Sequence, residues 1–115
     1  MGWYVLPCWF PIPYGCWCGI SIPFPPPEDP IDEFDSSCKR HDYCYEAGAL
    51  LNCTSFDEYV WLYEWDLVDD KIVCDKEQND ACQQHFCECD RVVIHELEDL
   101  VNANGGECPS NPGCA

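Results

Sequence analysis

Along this chain, Phe34, Cys38, His41, Tyr45, Ala49 and Asn52 recur at spacings of three and four, which predicts one helix face from about Asp32 to Leu51. A second helical pattern runs from Gln78 to Val101. In it Cys82, Cys89 and Glu96 recur at heptad spacing, while Phe86, Val93, Leu97 and Leu100 offer apolar contacts. Between the two, Tyr59 to Val73 alternates and is aromatic or β-branched, with Val68-Asp69-Asp70-Lys71 in its middle, so a hairpin is expected. The ends lack such periodicity. Residues 1–30 hold most of the ten prolines, including Pro25-Pro26-Pro27, and are expected to be extended or polyproline-like rather than helical. Asn102 to Ala115 is rich in Gly, Asn and Pro and carries Cys108 and Cys114, which reads as a bridged extension over the surface. No internal repeat is visible.

Composition narrows the class. A chain of 115 residues is expected to be a single domain, with 1–13 an irregular proline-rich start and 102–115 the bridged tail. Twelve cysteines, just over a tenth of the chain, indicate a disulfide scaffold with up to six bridges, in a secreted, extracellular protein. Pro7, Pro11 and Pro13 interrupt the apolar stretch Trp3 to Tyr14 and no basic segment leads it. It therefore reads as neither signal peptide nor membrane span, and the chain as a mature form or a fragment with Met1 added. A net charge of −17 with five Lys and Arg argues against nucleic acid as a partner and against docking to anionic membranes. Most of the acid is expected to form a solvated face.

The candidate chemistry centres on Cys38-Lys-Arg-His-Asp-Tyr-Cys-Tyr45. Adjacent side chains on a helix point about 100° apart, so His41 can face a partner helix while Asp42 faces a loop. One is then placed for substrate and the other for a cation. Cys87-Glu-Cys-Asp90, on the second helix, can supply the partner. A rival reading takes Cys38-x2-His41-x2-Cys44, preceded by Cys16-x-Cys18, as part of a zinc ligand series such as a RING-type domain. His85 and His95 read as surface residues. Trp3, Tyr4, Trp9, Phe10, Trp17 and Phe24 fit either core filler or a lipid-facing aromatic collar. Asn52-Cys53-Thr54 fits a glycosylation acceptor that a bridged Cys53 would hinder.

Taken together, Tyr14-Gly-Cys-Trp-Cys-Gly19, Asp35-Ser-Ser-Cys-Lys-Arg-His-Asp-Tyr-Cys-Tyr45 and Cys87-Glu-Cys-Asp-Arg91 resemble the secreted phospholipases A2, in that order, over about residues 14–97. The resemblance implies a mainly α, disulfide-rich fold: two long antiparallel bridged helices, a calcium-binding loop and a small β-wing hairpin. It also implies Cys18–Cys38, Cys44–Cys89, Cys53–Cys82 and Cys74–Cys87, with Cys16 joined to Cys108 or Cys114 and Cys8 to the other. Departures come in pairs. A cysteine usual in the family is Ser37 here, and its usual partner position is Glu96. Leu67 stands at another position that is often cysteine, and the N-terminal helix that would carry its partner is missing. The family's glycine-rich loop is replaced by the stiffer, longer Ile20 to Pro30.

The activity implied is calcium-dependent hydrolysis of the sn-2 ester of a glycerophospholipid. His41 would be the general base toward water, and Asp90 would hold its ring and tautomer. Tyr45 and Tyr63 would bind that carboxylate. Calcium, a hard cation, would take the Asp42 carboxylate and the backbone carbonyls of Trp17, Gly19 and Ser21. It would polarise the ester and, with the Gly19 amide, stabilise the oxyanion. The implied partner is a phospholipid membrane or micelle surface, zwitterionic by the charge argument, met by a monomer. The alternative is a catalytically weak or silent calcium-binding protein of the otoconin type.

Overall fold

The computed structural model describes residues 14–19, 24–53, 63–110 and 113–114. In chain order these form helix α1 (Glu33–Glu46), a 3-10 turn (Ala47–Leu51), strands β1 (Trp65–Val68) and β2 (Lys71–Cys74), and helix α2 (Ala81–Ala103). The fold is mainly α and disulfide-rich, with a small antiparallel hairpin. Two compact units make up the chain, one within Met1–Asp42 and Val93–Ala115, the other Tyr43–Val92.

In the first unit, Asp32 starts α1 by accepting the Asp35 amide at 2.8 Å on one carboxylate oxygen, while its other oxygen accepts the Tyr14 hydroxyl. Phe34 and Cys38 turn inward, with the Tyr14 ring 4.9 Å from that of Phe34 and Cys38 bridged to Cys18. Val93, Ile94, Leu97 and Val101 bury the α2 side of the same unit. The helix closes with Gly106 N–H bonded to Val101 O and Gly105 N–H to Asn102 O, Gly105 sitting at φ +70°. Cys16 is bridged to Cys114, and Cys108 is disulfide-bonded as well. Cys8 lies outside the described residues.

Ser37 and Glu96, where the family's cysteine pair would fall, are joined by Arg40. Its Nη2 donates to Ser37 Oγ at 3.0 Å and to Glu96 Oε2 at 2.5 Å, and Nε adds a 3.2 Å bond to the same oxygen. A polar clamp thus stands in for a covalent one. Because Arg40 is largely exposed, the clamp contributes little stability and is screened by salt. Arg40→Gln is expected to lower the melting temperature slightly at low salt and not at all at high salt, a difference read by paired thermal melts.

In the second unit the α-helix ends at Glu46 rather than continuing to Leu51, because the next turn tightens to 3-10 and shifts the phase of the face. Gly48 points inward while Ala49, Leu50 and Leu51 become exposed. Asn52 in the left-handed region (φ 61°) closes the turn with its amide on Ala49 O and Gly48 O. A side chain does not fit at Gly48: an added Cβ would lie 2.9 Å from Phe86 Cζ. Gly48→Ala is expected to cost about 1–3 kcal/mol through overpacking, measured by denaturant melts.

The hairpin has the expected centre. Val68 pairs with Lys71, and Asp69 and Asp70 both take positive φ, the geometry a two-residue type I′ turn requires. Tyr59 to Leu62 of the predicted hairpin lie outside the described residues. The second helix begins at Ala81 rather than Gln78. A turn on Asp75 occupies the intervening residues, and Asp80 and Gln83 form a reciprocal capping box, each side chain bonded at 2.8 Å to the other's amide. Cys44–Cys89, Cys53–Cys82 and Cys74–Cys87 cross-link this unit, so all four bridges implied by the resemblance are present.

These bridges overturn the zinc reading. Cys16, Cys18, Cys38 and Cys44 are each oxidised, and no described cysteine is free to ligate as a thiolate. Trp17 is core, 3% exposed, and so leaves the proposed collar; Phe24 is half-buried, and Trp3, Tyr4, Trp9 and Phe10 lie outside the described residues. His85 and His95 are half-buried rather than surface residues. His85 Nε2 donates to the Cys44 carbonyl at 2.6 Å, a contact that no sequence spacing announces.

Candidate functional site

In the first unit the site begins with a fully buried carboxylate. Asp35 Oδ1 accepts the amides of Trp17 (2.8 Å) and Cys18 (3.2 Å), and Oδ2 accepts those of Cys16 (2.9 Å) and Ile31 (3.0 Å). Gly15 makes this approach possible. Its φ is +58°, and an added Cβ would lie 2.6 Å from the Asp35 carboxyl carbon. Around the same loop, Trp17 Nε1 donates to Glu28 O at 3.0 Å and the Lys39 ammonium lies 5.1 Å from the Trp17 ring centroid. Reciprocal backbone bonds between Tyr14 and Cys18 complete the turn.

Asp42 lies one helical turn beyond Cys38, on the same face of α1, and Cys38 is the residue that anchors the loop through Cys18. The Asp42 Oδ1 is 4.0 Å from His41 Nδ1, and its Oδ2 is buried without a hydrogen-bond partner among the described residues. Burial pushes the Asp42 carboxyl up to about 6; the His41 charge opposes that shift and the Asp35 charge adds to it. A buried carboxylate oxygen with no donor fits a hard cation, as does a donor set of carboxylate and backbone carbonyl oxygens. Of the other expected ligands, Trp17 and Gly19 belong to the Asp35-held loop, with Gly19 exposed at φ +110°. Ser21 lies outside the described residues.

In the second unit the structure brings Tyr45, Tyr63 and Asp90 together. The Tyr45 hydroxyl donates to Asp90 Oδ1 at 2.8 Å and the Tyr63 hydroxyl to Oδ2 at 2.5 Å. Burial, with the Asp90 charge and hydrogen bond, drives the Tyr63 phenol upward, so it remains a donor. The Tyr45 ring packs at a tilt against Phe86, centroids 4.8 Å apart, and Phe86 is the ring that excludes a side chain at Gly48. Tyr63 is placed by its neighbour: Asn79 accepts the Glu64 amide at 2.7 Å and donates to the Glu64 carbonyl at 3.0 Å, tying the chain just after Tyr63 to the start of α2. Asn79 and Asp35 were not singled out by sequence reasoning. Both act on backbone far away in sequence, and only Asp35's place in a recognised motif marked it.

These features define a disulfide-bridged, mainly helical chain: in the first unit a His-Asp pair follows a carboxylate-organised loop, and in the second a carboxylate is held by two tyrosines. The family model for phospholipase A2 matches residues 11–104. Among curated relatives, the chain is 34% identical over 84 residues to acidic phospholipase A2 S17-58 of Austrelaps superbus, covering 70% of this chain and 52% of that one. It is 36% identical over 84 residues to the acidic phospholipase A2 homolog taipoxin gamma chain of Oxyuranus scutellatus scutellatus, with the same coverage. It is also 36% identical over 86 residues to acidic phospholipase A2 CM-II of Aspidelaps scutatus, covering 74% of this chain and 66% of the relative. The chain belongs to the phospholipase A2 family. It spans about half to two thirds of the length of these relatives.

Proposed function

We propose that this protein is a secreted, calcium-dependent phospholipase A2 that releases a fatty acid and a lysophospholipid from the sn-2 position of glycerophospholipids. The observation that carries the reading is Asp90, whose two oxygens are held by the Tyr45 and Tyr63 hydroxyls. Two phenols orient a carboxylate without neutralising it, which suits a group that must steady an imidazolium. A module that only binds has no use for this arrangement.

In this reading His41 accepts a proton from the attacking water at one ring nitrogen, and Asp90 keeps the ring in the tautomer that leaves that nitrogen free. Asp42 and the carbonyls of Trp17, Gly19 and Ser21 would hold calcium, and the Gly19 amide would donate to the developing oxyanion. Bound calcium supplies a Lewis acid for the ester carbonyl. With a net charge of −17, the chain acts on zwitterionic rather than anionic surfaces, as a monomer.

The test is fatty-acid release from mixed phosphatidylcholine micelles, with calcium and with chelator. Release that needs calcium supports the reading, and release unaffected by chelator removes the metal from it. The strongly acidic composition and the proline-rich stretch from Phe24 to Pro30 favour a second reading, a silent calcium binder. Calcium binding without any hydrolysis would select it.

A further inference from the structure

We infer that Asp35 is the positioning residue of the cation site, setting the direction of the Trp17 carbonyl through the peptide planes it holds, an inference that rests on the calcium reading above. A trans peptide unit points its N–H and C=O in opposite directions. The Cys18 amide, bonded to Asp35 Oδ1, shares its plane with the Trp17 carbonyl, so that carbonyl is turned away from Asp35. The same holds for the Gly15 and Cys16 carbonyls, whose partner amides on Cys16 and Trp17 also end on Asp35. Three consecutive planes therefore meet at one side chain, and the third, whose Cys18 amide is shared with the Tyr14 carbonyl at 3.1 Å, is held by that backbone bond as well.

The fourth bond, from the Ile31 amide, ties the far end of the same loop to that carboxylate. Asp35 itself is enclosed and anchored: it is 0% exposed, sits in the first turn of α1, and its own amide is held by the Asp32 cap. The loop's ligand geometry is thus built into the helix before any cation arrives. Preorganisation of this kind lowers the ordering cost of binding.

The experiment compares wild type with Asp35→Asn, whose amide keeps the shape but offers one acceptor in place of two carboxylate oxygens. Calcium chloride is titrated by calorimetry, and amide hydrogen exchange is followed in chelator. Expected are a tenfold or greater loss of calcium affinity and at least tenfold faster exchange at Cys16, Trp17 and Cys18, with exchange at Cys87 to Asp90 unchanged. A folded Asp35→Asn protein that binds calcium within twofold of wild type overturns the inference, even if its melting temperature falls, since a merely structural residue would behave that way.

If Asp35→Asn does not fold, Gly15→Ala decides, because its methyl presses on the same carboxyl group from the loop side. A fivefold or greater loss of affinity supports the positioning role, and unchanged affinity overturns it. Failure of the wild type to bind calcium at all brings down the calcium reading together with this inference, whereas binding by wild type and variants alike brings down this inference alone.

Discussion

If the proposed hydrolysis holds, His41→Gln is expected to lower fatty-acid release by about 10²–10⁴-fold, the usual contribution of a positioned general base, while leaving the disulfide pattern and calcium binding as in wild type. Glutamine keeps a polar side chain at a position only partly exposed but cannot take a proton near neutral pH. Nothing buried is uncovered by the change, since His41 is half-buried on α1 and the neighbouring fold is held by Cys18–Cys38 and Cys44–Cys89. The measurement is release from phosphatidylcholine micelles at saturating calcium, with calorimetric titration as the control. Turnover close to wild type would remove His41 from the mechanism, because a hydrolase with a different base would be left.

Asp42→Asn acts in opposite directions on binding and stability. The variant is expected to lose measurable calcium binding and calcium-dependent release, since a neutral amide replaces the only carboxylate of the proposed ligand set. In chelator it is expected to be more stable than wild type above pH 6, by about 1–3 kcal/mol for a shift of this size. The Asp42 carboxyl rises from an ordinary 3.8 to about 6 on folding, so the folded protein holds that proton more tightly than the unfolded chain. Stability from this group is present below about pH 4, is lost as pH rises toward 6, and is level beyond. The metal-free wild type should show that slope and Asp42→Asn should lack it. Denaturant melts from pH 4 to 8 in chelator read both; a variant no more stable than wild type at pH 7 would mean that the partnerless oxygen carries no penalty.

Local pattern revealed the elements more readily than their ends. Periodicity placed both helices because it reports which face is buried, and the apolar contacts of Phe34, Phe86 and Leu97 follow it. It missed the tightening after Glu46, which Phe86 favours by filling the space beside Gly48. It also set the start of α2 too early, although the Asp80-x2-Gln83 capping box was there to be read. The hydrogen bonds of Tyr45 and Tyr63 to Asp90 follow from what the family resemblance implies rather than from chemistry visible in any single stretch, and Tyr63 lies outside the three motifs that carry it. Asp35 shows the limit: an aspartate in the first turn of a helix looks like ordinary dipole complementarity, and its use as an acceptor for amides up to 19 residues away exists only once the chain has folded. The same is true of Asn79, whose side chain mimics a strand partner for Glu64.

The Cys16–Cys114 bridge joins residues 98 apart in sequence. Topologically it turns almost the whole described chain into a covalent ring, with Cys18–Cys38, Cys44–Cys89, Cys53–Cys82 and Cys74–Cys87 as chords across it. One cut by a protease anywhere between those two cysteines opens the ring without releasing a piece: mass rises by one water, and two fragments separate only after reduction. Damage of that kind changes the chain's connectivity while leaving its parts in one molecule.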